Sequence, residues 1–326
     1  MIGTEYYAGL DLGGTNIKSV AIDKTGSVLY EKSIPAETGK GPDAVIEKMI
    51  SLLNGICKDP AMVDRKLRAV GIAAAGVVDM KKGVCKFLPN LPGWKDIKLV
   101  SKLTESLETE IFLINDVRAM TLAEKTYGAG KGVKNLMCLA VGTGIGGGII
   151  LNDRLFFGSE GFAGELGHQT VEPRGPRCTC GNNGCLEALA SGSNIAFQAM
   201  RLVKQGATTR IRDLAGNDLN KITPDIVAEA ARQGDPFALE IWEREAFYLG
   251  VGIANLIVIF NPEMIILGGG ISEAFDLLVE GIRKTLKERI HLGPDPDKLK
   301  IVKSELKNLS GAVGAATWAM LNMQDL

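Results

Sequence analysis

The chain has 326 residues, 46% of them apolar and 23% charged, the composition of a soluble globular protein of about two domains. Lys and Arg number 37 against 38 Asp and Glu, so the net charge of −1 leaves no basic surplus for nucleic acid. Forty Gly, two His and six Cys exclude a disulfide scaffold and any mechanism built on several histidines.

Met1 to Thr15 has no basic stretch and no long apolar run, and Glu5 and Asp11 interrupt it, so a secretory signal is not expected. Ala8 to Leu12 is a short apolar run, Gly13-Gly14-Thr15-Asn16 turns the chain, and Ile17 to Ile22 is apolar again. This is strand, glycine turn, strand, with another strand over Ser27 to Ser33. Pro42 to Cys57 carries Val45, Ile46, Met49, Ile50 and Leu53 at helical spacing and predicts an amphipathic helix. Leu67 to Ala75 and Glu110 to Ile114 read as buried strands, Asp116 to Tyr127 as a helix and Leu136 to Val141 as a strand.

The strand, glycine turn, strand pattern then recurs about 130 residues on. Gly142-Thr143-Gly144-Ile145-Gly146-Gly147-Gly148 follows Leu139 to Val141, and Ile149 to Leu151 runs apolar after it. The echo suggests a duplicated α/β domain. Helical periodicity covers Leu186 to Lys204, Thr223 to Gln233 and Pro236 to Phe260. The longest apolar run, Leu249 to Phe260, is too short to span a bilayer and predicts a buried helix. Met264 to Leu267 is a strand ending in Gly268-Gly269-Gly270. Lys300 to Lys303 is a further strand, and Gly311 to Asn322 a closing helix. Alternating strands and helices predict α/β architecture.

Glycines after a strand let backbone N–H groups approach an anion without a Cβ clash, which suits a polyphosphate. Tight hairpins are the plainer explanation for any single such turn, but three of them occur here, at Gly13, Gly142 and Gly268. Two familiar phosphate motifs fail on context. Gly142, Gly144 and Gly147 satisfy G-x-G-x-x-G, yet a strand rather than a helix follows. Lys18-Ser19 is preceded by Ile17 rather than Gly, so no G-x-x-x-x-G-K-[ST] loop is present. Asp11-Leu12-Gly13-Gly14-Thr15 with a second Gly-Thr-Gly hairpin resembles instead the actin, hexokinase and sugar-kinase ATPase fold. That resemblance implies two related domains flanking a cleft, with the hairpins facing each other across ATP. It also implies that Asp11 acts through Mg²⁺ and that Gly268 to Gly270 lies near the nucleotide.

Cys178, Cys180 and Cys185 fall within eight residues, and His168 stands ten residues upstream of the first. Cys₃His is an ordinary tetrahedral zinc set, and a closed four-ligand site is structural rather than catalytic. The alternative is a loop of unliganded thiols. Cys57, Cys85 and Cys138 sit among apolar residues and are expected in the core. His291 is expected at a helix end on the surface. The cysteine usage predicts a reduced, cytoplasmic setting.

Gly161-Phe162-Ala163-Gly164-Glu165-Leu166-Gly167-His168, followed by Cys-x-Cys-Gly-x-x-Gly-Cys-x-Glu, resembles the ROK family of bacterial sugar kinases and repressors. The resemblance runs over essentially the whole chain and implies an ATP-dependent hexose kinase. By it, Asp116 takes the proton from the sugar 6-hydroxyl, although an Asp before a helix is also a ready N-cap. By it too, Glu165, His168 and Glu187 meet the hydroxyls around C1 to C3, and Asn90, Asn115 and Asp116 meet the far side. Gly76 is a backbone sugar contact in a turn, Ala74-Ala75-Gly76, that departs from the Pro-Gly of many relatives. The nucleotide falls to Asp11, Gly13, Gly14, Thr15, Asn16, Lys18, Gly142, Thr143, Gly144, Gly146, Gly269 and Gly270. Zinc on His168, Cys178, Cys180 and Cys185 then holds His168 and the loop bearing Glu187 in pose.

Trp94 is expected to anchor its loop. The implied domains are 1–114, with a helix at about 308–326 packing back on it, and a larger 115–307 carrying the zinc loop. Repressor relatives carry an extra helix-turn-helix domain of roughly 80 residues. The first phosphate strand here begins too close to Met1 for one, so a kinase is expected over a sensor or repressor. The segment Asn90 to Trp94 with Glu165 to His168 looks most like the glucokinase branch. N-acetylmannosamine, N-acetylglucosamine and fructose remain alternatives for the sugar, and polyphosphate for the donor. The expected partners are a sugar and a nucleotide, with no nucleic acid or membrane, in a homo-oligomer.

Overall fold

A computed structural model describes residues 5–324, and contacts within the chain divide it into two units. In the first, β1 (Glu5–Leu12) pairs antiparallel with β2 (Asn16–Ile22), which pairs antiparallel with β3 (Val28–Pro35). The helix α1 (Pro42–Cys57) follows, opened by Pro42 in its first turn, and buries Val45, Ile46, Met49, Leu52, Leu53 and Ile56 along one stripe. Parallel to β1 lies β4 (Lys66–Ala74). A small antiparallel sheet of β5 (Val77–Asp79), β6 (Val84–Phe87) and β7 (Lys95–Ile97) comes next, then the short helix α2 (Leu99–Thr104). β8 (Glu110–Asn115) closes the main sheet beside β4 and leads directly into α3 (Asp116–Tyr127). The five-stranded order is β3-β2-β1-β4-β8.

The second unit repeats this plan. β9 (Leu136–Val141) pairs antiparallel with β10 (Ile145–Leu151), and β10 with β11 (Arg154–Leu155). Its helices are α4 (Leu186–Ala190), α5 (Gly192–Lys204), α6 (Arg210–Leu214), α7 (Pro224–Arg232) and α8 (Pro236–Phe260). Then come β12 (Met264–Gly268), parallel to β9, the helix α9 (Phe275–Arg289), and β13 (Lys300–Lys303), parallel to β12. The order β11-β10-β9-β12-β13 matches the first sheet strand for strand in sequence and direction. The duplication suggested by two glycine turns is thus a duplication of whole sheets.

The chain returns to the first unit through α10 (Ser310–Gln324), which lies on β1, β4 and α3. Glycines on the two strands permit that approach. A Cβ at Gly9 would run into the Ala312 carbonyl, and one at Gly71 into that of Ala315. Helices on both faces bury β1 almost throughout, which is why it reads as a continuous apolar run. α3 packs against α10, so the units part after Gly132 rather than between residues 114 and 115. Phe157–Ala163 also belongs to the first unit.

Three local readings change. Gly146, Gly147 and Gly148 are paired residues of β10, so the turn is Gly142-Thr143-Gly144 alone. The helical stretch from Leu186 breaks at Ser191, whose side chain caps α5 by accepting from the Asn194 N–H. In α8 the apolar run is buried up to Ile257, but Val258 and Ile259 are 69% and 68% exposed. No helix among the described residues is long and apolar enough to cross a membrane.

Candidate functional site

In the first unit the registers pair Leu12 with Ala74 and Ala74 with Asn115. The turn at Gly13, the turn at Gly76 and Asp116 therefore all leave the sheet at one edge, the carboxyl ends of parallel strands, where open α/β sheets bind ligands. Asn115 decides the geometry there. Its Oδ1 accepts from the N–H groups of Val117 and Arg118 at 3.0 and 3.1 Å, which makes it the cap of α3. Its Nδ2 donates to the Gly76 carbonyl at 3.1 Å and to Asp116 Oδ1 at 3.0 Å. Asp116 is thus the first helical residue and not the cap. Asn115 spends its amide on holding Asp116 and the Gly76 turn. Gly76 itself has φ 128° and leaves no room for a side chain against Phe87 and Pro89.

Close to that edge, the Gly13 N–H donates to the Asn16 carbonyl at 3.1 Å, closing the Gly13–Thr15 turn. Gly14 faces Asn90, with an added Cβ only 3.2 Å from the Asn90 Cβ. Thr15, Asn16 and Asn90 are exposed. Trp94, its ring buried, anchors the loop beyond Asn90. Asp11 lies under the N-terminus of α10 at Gly311, whose missing side chain leaves room for the carboxylate. Burial pushes the Asp11 carboxyl above the usual carboxylate range, and the nearby Lys18 ammonium partly opposes this. Lys18 Nζ donates to the Asn308 carbonyl at 3.0 Å, tying β2 to the start of α10.

In the second unit the turn between β9 and β10 closes through the Gly142 N–H and the Gly144 carbonyl at 2.8 Å. The N-terminus of α5 is fastened to it: the Gly192 N–H donates to the Gly142 carbonyl and Ser193 Oγ to the Thr143 carbonyl, both at 2.8 Å. A helix N-terminus adds partial positive charge beside the turn, which favours an anion. Sequence reasoning missed Ser191, Gly192 and Ser193. The Ser-Gly-Ser run inside an otherwise helical pattern was the available signal. Gly269, with φ 77°, passes close against Val141, and Gly270 starts the next helical turn. Gly146 faces Ala140 inside the sheet, apart from this turn.

Glu187, in the first turn of α4, reaches back to the same turn. Its Oε2 accepts from the Ile145 N–H at 2.8 Å and fills the space that a side chain at Gly144 would need. Its Oε1 lies 3.7 Å from Cys178 Sγ and 3.4 Å from Thr179 Oγ1. Glu165 is exposed, and its carbonyl accepts the His168 N–H at 3.0 Å.

His168, Cys178, Cys180 and Cys185 place four ligand atoms within 4.8 Å of one another. Cys178 Sγ is 3.7 Å from His168 Nδ1, and Cys180 Sγ is 3.7 Å from Cys185 Sγ. A tetrahedron with about 2.3 Å metal–sulfur bonds has edges of about 3.8 Å, so the set fits a zinc-sized ion. Burial pushes the Cys185 thiol up to about 12 and the Cys178 thiol in the same direction, while the Asn182 N–H beside Cys180 lowers its thiol. A divalent cation is the natural agent to deprotonate such buried thiols. All six cysteines are free thiols, and Cys85 and Cys138 are core residues. Cys57 is instead exposed at the end of α1, where its sulfur accepts from the Tyr6 hydroxyl.

Two matching sheets, each with a glycine turn at the carboxyl edge of its first strand, define the duplicated actin/hexokinase-like α/β fold. The chain belongs to the ROK family, whose profile matches residues 7–321. It is 35% identical over 309 residues to a glucokinase of Thermotoga maritima, covering 95% of each chain. It is 31% identical to a xylose repressor of Caldicellulosiruptor bescii, covering 97% of this chain and 78% of that one. A crystal structure of a ROK family glucokinase from Streptomyces griseus, in complex with glucose and AMPPNP, superposes with TM-score 0.82. The two are 31% identical, over 97% of this chain and 99% of the other.

Proposed function

We propose that the protein is a kinase that moves the terminal phosphoryl group of ATP to the 6-hydroxyl of glucose, with Asp116 as general base. The observation that carries this reading is the division of labour at the start of α3. Asn115 caps the helix and donates to Asp116, so the carboxylate is oriented at the edge of the sheet rather than consumed as a cap. A base so held takes the hydroxyl proton as the sugar oxygen attacks phosphorus, a contribution of about 10²–10⁴ in rate.

Phosphoryl transfer otherwise asks the protein for positioning and charge. Backbone N–H groups at Gly13, Gly14 and Thr15 and at Gly142, Thr143 and Gly144 are assigned to the phosphates, with Asn16 and Lys18 beside them. Gly269 and Gly270 are assigned to the nucleoside end, and Gly146 supports its turn from within the sheet. Mg²⁺, when bound, neutralises phosphate charge, and Asp11 is the residue that would hold it. One carboxylate plus phosphates is the usual Mg²⁺ donor set. Zinc on His168, Cys178, Cys180 and Cys185 would fix the loop from which Glu187 and His168 meet the sugar. Asn90, Glu165 and the Gly76 backbone complete its hydroxyl partners, and Asn115 acts through Asp116.

Glucose is favoured by the glucokinase relatives. Free thiols support a reducing, cytoplasmic setting. Phe247, Val258 and Ile259, exposed on α8, support a homo-oligomer. A phosphotransfer assay tests the reading, with glucose, fructose, N-acetylglucosamine and N-acetylmannosamine as acceptors and ATP or polyphosphate as donor. Asp116→Asn is expected to cut kcat by about 10²–10⁴ with little change in glucose affinity. Near-normal turnover in that variant would remove Asp116 from the role. Sugar binding with no turnover by any pair would favour a sensor, in line with the repressor relative.

A further inference from the structure

We propose that Arg118 is a positioning residue of the sugar site, tying the helix that carries Asp116 to the strap that delivers Glu165. This rests on the kinase reading above. Arg118 lies two residues after Asp116 in the first turn of α3 and is only 3% exposed. Its guanidinium turns away from the helix onto Phe157–Ala163, the segment that leaves the second unit's sequence to pack with the first. Nη1 donates to the Gly161 carbonyl at 2.7 Å and Nη2 to the Ala163 carbonyl at 2.9 Å. The same group lies 5.7 Å from the centre of the Phe157 ring, which meets Trp318 of α10 edge to face at 5.6 Å.

Much of the strap lies open to solvent, with Gly158, Ser159, Glu160 and Phe162 exposed. One face looks onto a cavity of about 820 Å³ lined by Met80, Ile111, Phe112 and Trp318 rather than onto packed core. Phe162 is 49% exposed, and Gly158 and Gly161 sit at positive φ. The bond from the Ala163 N–H to the Phe157 carbonyl at 3.0 Å closes the strap on itself without attaching it to α3. A planar guanidinium with two parallel donors suits adjacent carbonyls, and a lysine can replace one bond but not the fork. Glu165 follows Ala163 by two residues. One buried side chain therefore fixes the chain two residues before Glu165 from the same helical turn that presents Asp116, while Gly164 and Leu166 pack against β10.

Removing the fork frees the strap and should misplace Glu165 while leaving the glycine turns as they are. Displacements of about 1 Å in such groups cost up to about a hundredfold. The test is steady-state kinetics on wild type, Arg118→Met and Arg118→Lys, with glucose and ATP varied separately, and chymotryptic cleavage at Phe157 and Phe162 followed in parallel. Arg118→Met is expected to raise KM for glucose about ten- to a hundredfold with KM for ATP nearly unchanged. Arg118→Lys should recover part of the loss. Cleavage of the strap should be faster in Arg118→Met, and glucose should slow it.

A wild-type KM for glucose in Arg118→Met would overturn the inference, as would a loss shared equally by both substrates. If wild type turns over no sugar, the kinase reading falls instead. The tie is then judged by glucose affinity and strap cleavage, and values equal to wild type in the variant overturn it. Should Arg118→Met fail to fold, Arg118→Lys carries the same comparison.

Discussion

Glu245, in the middle of α8, is fully buried, and neither carboxylate oxygen has a hydrogen-bond partner among the described residues. Its helical neighbours one turn away, Ile241 and Leu249, are core residues. Burial pushes its carboxyl well above the ordinary 4.5, so the folded protein keeps it protonated where an unfolded chain ionises it. Because the folded value is raised, the group's effect on stability is constant below pH 4.5 and worsens above it. Wild type loses about 1.4 kcal/mol per pH unit until the folded carboxyl itself ionises. Glu245→Gln keeps the shape and removes the titration, so it should match wild type near pH 4.5 and pull ahead at that slope. Glu245→Met should be about 1–3 kcal/mol more stable than Glu245→Gln at every pH, because it also removes the unpartnered polar group. Urea unfolding of the three proteins from pH 4.5 to 8 measures the differences, in which every other titrating group cancels. Parallel pH curves for wild type and Glu245→Gln would refute the reasoning, because the carboxyl would then be solvated or ionised in the fold.

Two further outcomes are expected, beside those for Asp116 and Arg118. Purified protein should contain about one zinc per chain, and Cys185→Ser should lose it and melt at lower temperature. Zinc-free protein with full activity and stability would refute the metal site. Asn115→Ala should cost about 1 kcal/mol of stability as a lost cap and also lower turnover. Asn115→Ser should restore the cap and the melting temperature but not turnover, since a hydroxyl cannot donate to both Gly76 and Asp116. Recovery of both together would reduce Asn115 to a cap.

Much of the fold was legible because single segments carry it. α1, α3 and α8 begin and end where the apolar spacing places them, with Pro42 and Pro236 opening the first and the last. The small sheet of β5, β6 and β7 was not legible. Strands of three or four residues show no periodicity and exist only by pairing with one another. Of the candidate site, the Cys₃His donor set was legible because its residues lie close in the chain. The exposure of Cys57 and of Val258 and Ile259 was not, since an apolar side chain reads the same on either face of its helix.

The sequence by itself determined about two domains, a near-neutral charge, glycine turns after strands and one Cys₃His donor set. These follow from composition and from spacings of a few residues, which local chemistry controls. Only the tertiary structure decided that the two turns belong to matching sheets, that Asn115 rather than Asp116 caps α3, and that Glu187 reaches both Ile145 and Cys178. It also decided that Arg118 grips a strap some 40 residues further along. Each of these is a contact between segments far apart in the chain. Such contacts form only when packing brings the segments together, so no local pattern encodes them.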